Sequence, residues 1–159
     1  MKAKLYSLVI IVCMAFAFSS CLKDDVADDF TSVKPVIELP YASSHSSNFT
    51  AQAGQDATFK LMVNYTIADW RNQNDEITVG LGVDESRKGN NTLLPASTYT
   101  LPATMTIAKQ TQLATTDLVV KTTGLAPGKY VLPVVLKSVP AGYIMSGNFN
   151  YALFIVTVK

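Results

Sequence analysis

Cysteine is scarce in this chain. There are two, Cys13 and Cys21, and none follows. A fold stapled by disulfides is therefore excluded for everything after residue 21. Histidine is scarcer still. His45 stands alone, in Ser43-Ser44-His45-Ser46-Ser47, and reads as a solvated loop residue; one histidine builds neither a zinc site of three or four ligands nor a positioned general base. Charge of one sign is also missing: 13 basic and 12 acidic side chains give a net charge of +1, with no basic stripe, which argues against nucleic acid. No G-x-S-x-G turn and no glycine-rich phosphate loop occurs, so no nucleophile and no cofactor is expected. The adjacent carboxylates Asp75-Glu76 and Asp84-Glu85 do not converge either, because neighbours on a strand point to opposite faces. These absences lead us to expect a protein that is not an enzyme.

What is present begins at the N-terminus. Lys2 and Lys4 precede an apolar run from Leu5 to Phe18, shorter than the ~20 residues a spanning helix needs. Small residues, Ser19 and Ser20, then lead to Cys21. This order predicts an export signal over residues 1–20. It resembles a bacterial lipobox, which implies lipidation of Cys21, although Phe18 sits where leucine is commoner. An ordinary secretory signal or an uncleaved anchor is the other reading. Several acyl chains, at about 0.8 kcal/mol per buried CH₂, hold a protein to a bilayer essentially permanently. Leu22-Lys23-Asp24-Asp25 resembles the surface-export tag of Bacteroidota lipoproteins, with Lys23, Asp24 and Asp25 as its residues. Together the two resemblances imply an outer-membrane, cell-surface location with a lipid anchor. The acidic stretch also reads as a solvated tether, since like charges keep it extended. It lacks the spacing of a calcium loop.

Without its first twenty residues the chain has 139, enough for one core. We expect a tether over residues 21–34 and one domain over 35–159. Alternation organises that domain. In Thr58 to Thr66, Phe59, Leu61, Val63 and Tyr65 share one face, and in Glu76 to Val83, Ile77, Val79, Leu81 and Val83 do. Further strands are expected over 35–41, 98–108 (broken near Pro102), 112–121, 129–138 and 151–158. Residues 42–53 read as a Ser/Asn-rich loop. About seven short strands without a helix predict an all-β, antiparallel immunoglobulin-like sandwich.

One corner is more specific. Pro127-Gly128 makes a turn before a strand that opens on Tyr130. A tyrosine there is expected to be structural, its hydroxyl bonding back to the backbone. The segments Tyr99-Thr100-Leu101, Met105-Thr106-Ile107 and Tyr130-Val131-Leu132-Pro133, with the last strand Tyr151 to Lys159, resemble a Bacteroidota domain of unknown function. That domain opens many surface lipoproteins of glycan-utilisation loci. Ala108-Lys109-Gln110 departs from its usual Pro-Ala-Gly. The resemblance implies an Ig-like sandwich, often followed in relatives by a lectin-like or glycosidase module.

Two surfaces are candidates for binding. Asp69 to Asp75 holds the single tryptophan among amides. Trp70, Asn72 and Asn74 together offer an aromatic face and hydrogen-bonding planes, as a sugar site needs. Alternatively, Trp70 folds back to plug the sandwich. The second surface is the outside of the last two long strands, where Val131, Val135, Phe154 and Val156 are expected to form an apolar partner patch, unless a loop covers it. A bulge or partial edge is expected at Pro133, which has no N–H to give a ladder. The leading expectation is a non-catalytic binding or accessory module of a glycan-uptake system, with polysaccharide or a membrane transport complex as partner. The other is a structural or assembly lipoprotein that docks through its last strands.

Overall fold

The computed structural model describes residues 33–41 and 45–159. Cys21, Lys23, Asp24 and Asp25 lie outside the described residues, as do the expected signal over 1–20 and most of the expected tether over 21–34. Residues 33–159 form one compact unit.

The described residues make two sheets packed face to face, as the alternation requires. The first has the order β10-β1-β3-β8-β6, with β1 Val36–Glu38, β3 Ala57–Thr66, β6 Tyr99–Thr100, β8 Leu113–Val120 and β10 Ile144–Met145. The second has the order β2-β11-β9-β4-β7, with β2 Ser46–Ala51, β4 Ile77–Val83, β7 Thr104–Ile107, β9 Gly128–Ser138 and β11 Tyr151–Val158. A further short strand, β5 (Thr92–Leu93), pairs with the start of β9. Phe59, Leu61, Val63 and Tyr65 are all buried, as their period of two demands. They face Ile77, Val79, Leu132, Val134, Phe154 and Val156 across the interface between the sheets.

The N-terminal part changes sheets. β1 pairs antiparallel with β3, while β2 pairs parallel with β11. Between them, Leu39 donates its N–H to Phe149 O (2.7 Å). Tyr41 fills the gap the crossover leaves beside β3: its hydroxyl accepts from Met62 N (2.8 Å) and donates to Lys60 O (3.0 Å), where a strand would otherwise pair. Residues 46–51, expected as loop, are thus a strand. Their sequence SSNFTA carries too little alternation to reveal it, and the pairing comes from β11, a hundred residues away.

Pro133 behaves as its chemistry requires. Residues 131 and 133 turn their backbone groups away from β11, since Val131 O accepts from Leu94 N (2.9 Å) and Pro133 O from Asp84 N (3.1 Å). Its nitrogen therefore faces the junction where β4 ends and before β5 begins, so no ladder bond is lost.

Candidate functional site

Trp70–Asn72 is a single 3-10 turn between β3 and β4. Trp70 is half-buried and packs against the core, and the guanidinium of Arg71 sits 4.6 Å from its ring centre. The ring thus folds back against the end of the sandwich and keeps part of its surface exposed. Asn72 donates its side-chain amide to the Asp69 carboxylate. Asn74 is exposed, and its amide makes no hydrogen bond among the described residues.

Gln73, which the sequence did not single out, is what fixes this tip. It is buried (7 % exposed). Its Oε1 accepts from Gln110 N (3.1 Å), its amide nitrogen donates to Asp75 O, and its own carbonyl accepts from the same Gln110 N (3.1 Å). The loop after β3 and the turn after β7 are thereby locked together. Gln110 holds φ +56° to make that reach, and its own exposed side chain stands at the same tip as Asn74. An amide flanked by asparagines looks like any turn residue in sequence, so only its burial gives it away.

The apolar partner patch is not there. Phe154 and Val156 are 0 % exposed and belong to the core between the sheets. Val131 and Val135 lie on the opposite face of β9, yet they are 0 % and 7 % exposed. Both faces of β9 are buried from Val131 to Leu136. The segment between β4 and β5 accounts for the outer face: Glu85–Lys88 forms a 3-10 turn that lies against β9. It is the covering loop that the sequence left open as the alternative. The outward side chains of β11 are Tyr151, Leu153 and Ile155, all half-buried.

That covering turn is held by a cluster sequence reasoning missed. Asp84 caps it, accepting from Ser86 Oγ (2.6 Å) and N (3.2 Å) and pairing with Arg87 Nε (3.0 Å). The Ser86 hydroxyl, ahead of its backbone N–H and Arg87, holds the Asp84 carboxyl below its ordinary range. Arg87 then lies 4.1 Å over the Tyr151 ring. His45 stacks on the same tyrosine at 4.5 Å and an interplanar angle of 15°, and sits 5.3 Å from Phe149. His45 is therefore half-buried in an aromatic stack and not a solvated loop residue.

Tyr130 is structural. Its hydroxyl donates to Ala126 O (3.0 Å), closing the corner across Pro127-Gly128. Among the described residues no three histidine, cysteine or carboxylate groups gather as metal ligands.

A family model described as a "-like, N-terminal domain" matches residues 29–142, well over half the chain. No curated protein matches. Among solved structures, a Bacteroides ovatus protein provisionally described as carbohydrate-binding aligns at 18% identity and TM-score 0.59, over 76% of this chain and 36% of its own. A two-domain Bacteroides fragilis protein of unknown function aligns at 12% identity and TM-score 0.61, over 83% and 47%. EndoBT-3987 of Bacteroides thetaiotaomicron, solved with a Man5GlcNAc product, aligns at 11% identity and TM-score 0.52, over 70% and 28%. The chain spans less than half the length of each of these three.

Proposed function

The chain belongs to this family of N-terminal domains, and on that premise we propose that it is a non-catalytic glycan-binding or accessory module, displayed on the outer membrane through a lipid on Cys21. The observation that carries the reading is the tip: a half-buried indole on the same loop as the untied amide of Asn74, with the exposed Gln110 tied to that loop through buried Gln73. The C–H face of a sugar ring stacks on Trp70 while the amides meet its hydroxyls. The guanidinium of Arg71, 4.6 Å from the ring centre, adds hydrogen-bond donors at the same place. A rigid tip keeps the ordering cost of binding low. The description of the Bacteroides ovatus neighbour and the glycan product held by EndoBT-3987 support the ligand class. Service to a glycan-uptake complex, with the tether spacing the domain from the membrane, follows from the same reading.

Affinity electrophoresis of the protein through a panel of plant and host polysaccharides tests it. Retention by at least one polysaccharide is expected, weakened about tenfold, or about 1.4 kcal/mol, in Trp70→Ala. Trp70 also props the fold, so Asn74→Ala at an exposed position provides the second variant, and it too should weaken retention. Unchanged migration of both variants in a polysaccharide that retains the parent sinks the site.

A further inference from the structure

The edges of the two sheets are protected unequally. β6 and β10 have two residues each and β7 has four. Short edges offer little to a passing strand. β2 has six, Ser46–Ala51, and forms the outer edge of its sheet. It contains no charged residue, no proline and no glycine. The usual devices against edge pairing are therefore missing from the longest edge strand among the described residues.

Its free groups follow from the register. His45 O and Ala51 O accept from Leu153 N (2.6 Å) and Lys159 N (3.0 Å), so odd-numbered residues turn their backbone toward β11. Asn48 and Thr50 then turn theirs outward. Both residues are exposed, and among the described residues nothing else bonds to them. Phe49 between them points inward and packs on Phe59 at 4.1 Å. A groove of about 540 Å³, lined in part by Phe49, Phe59, Met62 and Tyr41, opens along this same edge.

We infer that a second copy of this chain pairs with β2, antiparallel and about a two-fold axis through Phe49. That register sets Asn48 opposite Thr50 of the other copy, and Thr50 opposite its Asn48. Each of these is a hydrogen-bonded pair, so the four free N–H and C=O pairs of the two edges satisfy one another in four bonds. No charge meets a like charge, and the interface is the same patch used twice. The edge is short, so its own affinity is low. On the reading proposed above, in which a lipid on Cys21 holds each chain to one membrane, two copies meet at high effective concentration, which favours the pair. Pairing here is the assembly route the fold leaves open, in place of the buried last strands.

Cysteine pairing reads the register directly. Opposed residues of a hydrogen-bonded pair have Cα atoms about 5.5 Å apart, within disulfide reach. Full-length chains carrying Asn48→Cys or Thr50→Cys are expressed together in native membranes and oxidised. Both positions are exposed, so the fold tolerates them. A disulfide-linked dimer is expected when the two variants are mixed, several-fold above either variant alone. No dimer in the mixture overturns the inference. Equal yields from the mixture and from each single variant overturn it too, because they report random collision. Thr50→Lys in the chain that already carries Asn48→Cys, where it lies opposite the unaltered Asn48 of the Thr50→Cys chain, is a further check: it should lower the yield through the bulk and charge brought to the edge, and an unchanged yield contradicts the register.

Discussion

Tyr41 shows how one side chain replaces a strand. Its hydroxyl takes the N–H of Met62 and gives to the carbonyl of Lys60, and its ring meets Phe154 edge-on at 5.1 Å. Removing the hydroxyl in Tyr41→Phe leaves a donor and an acceptor of β3 without partners. A loss of about 1–3 kcal/mol in urea unfolding is expected. Burial pushes the Tyr41 phenol up to about 12, against the hydrogen bond from Met62, which lowers it. The unfolded chain ionises near the ordinary tyrosine value of about 10. Between about pH 10 and 12 the unfolded state therefore binds fewer protons, and stability falls as pH rises through that window. The neutral form's contribution is complete below about pH 10. Tyr41→Phe should flatten this alkaline decline, and an equally steep decline in the variant contradicts the cause.

At the scale of elements, the tip depends on Gln73 joining two loops. Gln73→Ala removes the acceptor for Gln110 N and the donor to Asp75 O. About 1–3 kcal/mol of stability should be lost. Glycan retention should weaken as well, although Gln73 touches no ligand, because Trp70 and Asn74 lose their common support. Retention unchanged in a destabilised variant contradicts that role. The sequence made the strands around this tip legible wherever one face is dry and the other wet. β3, β4, β7 and β8 carry that alternation, and the Pro127-Gly128-Lys129-Tyr130 corner carries a turn with its own chemistry. Three elements were illegible for physical reasons. β2 has one buried residue, Ala51, at its end; β5 and β10 are two residues long and held by distant partners. β9 and β11 are legible as strands, but not the way their faces point: both faces of β11 are apolar, so alternation does not reveal that Phe154 and Val156 face the core, and the outer face of β9 reads as open. An apolar stripe looks the same in sequence whether it faces solvent or lies under a turn such as Glu85–Lys88. His45 was misjudged for a related reason: its serine neighbours are local, while Tyr151 and Phe149 arrive from the far end of the chain.

For the whole molecule, the described residues form a sandwich that presents one tip tied by Gln73 and one six-residue edge strand, β2. Anchoring at Cys21 predicts that Cys21→Ser moves the protein from the membrane to the soluble fraction and abolishes its labelling by a fatty acid. Labelling that survives the change contradicts the anchor. The glycan reading has a probe built in, because Trp70 is the only tryptophan. The most direct measurement is its fluorescence during titration with each polysaccharide of the panel. A saturable shift in emission, with any polysaccharide that also retains the protein in a gel, is the expected result. Emission that stays constant across the panel, while the protein remains folded, contradicts a glycan site at Trp70.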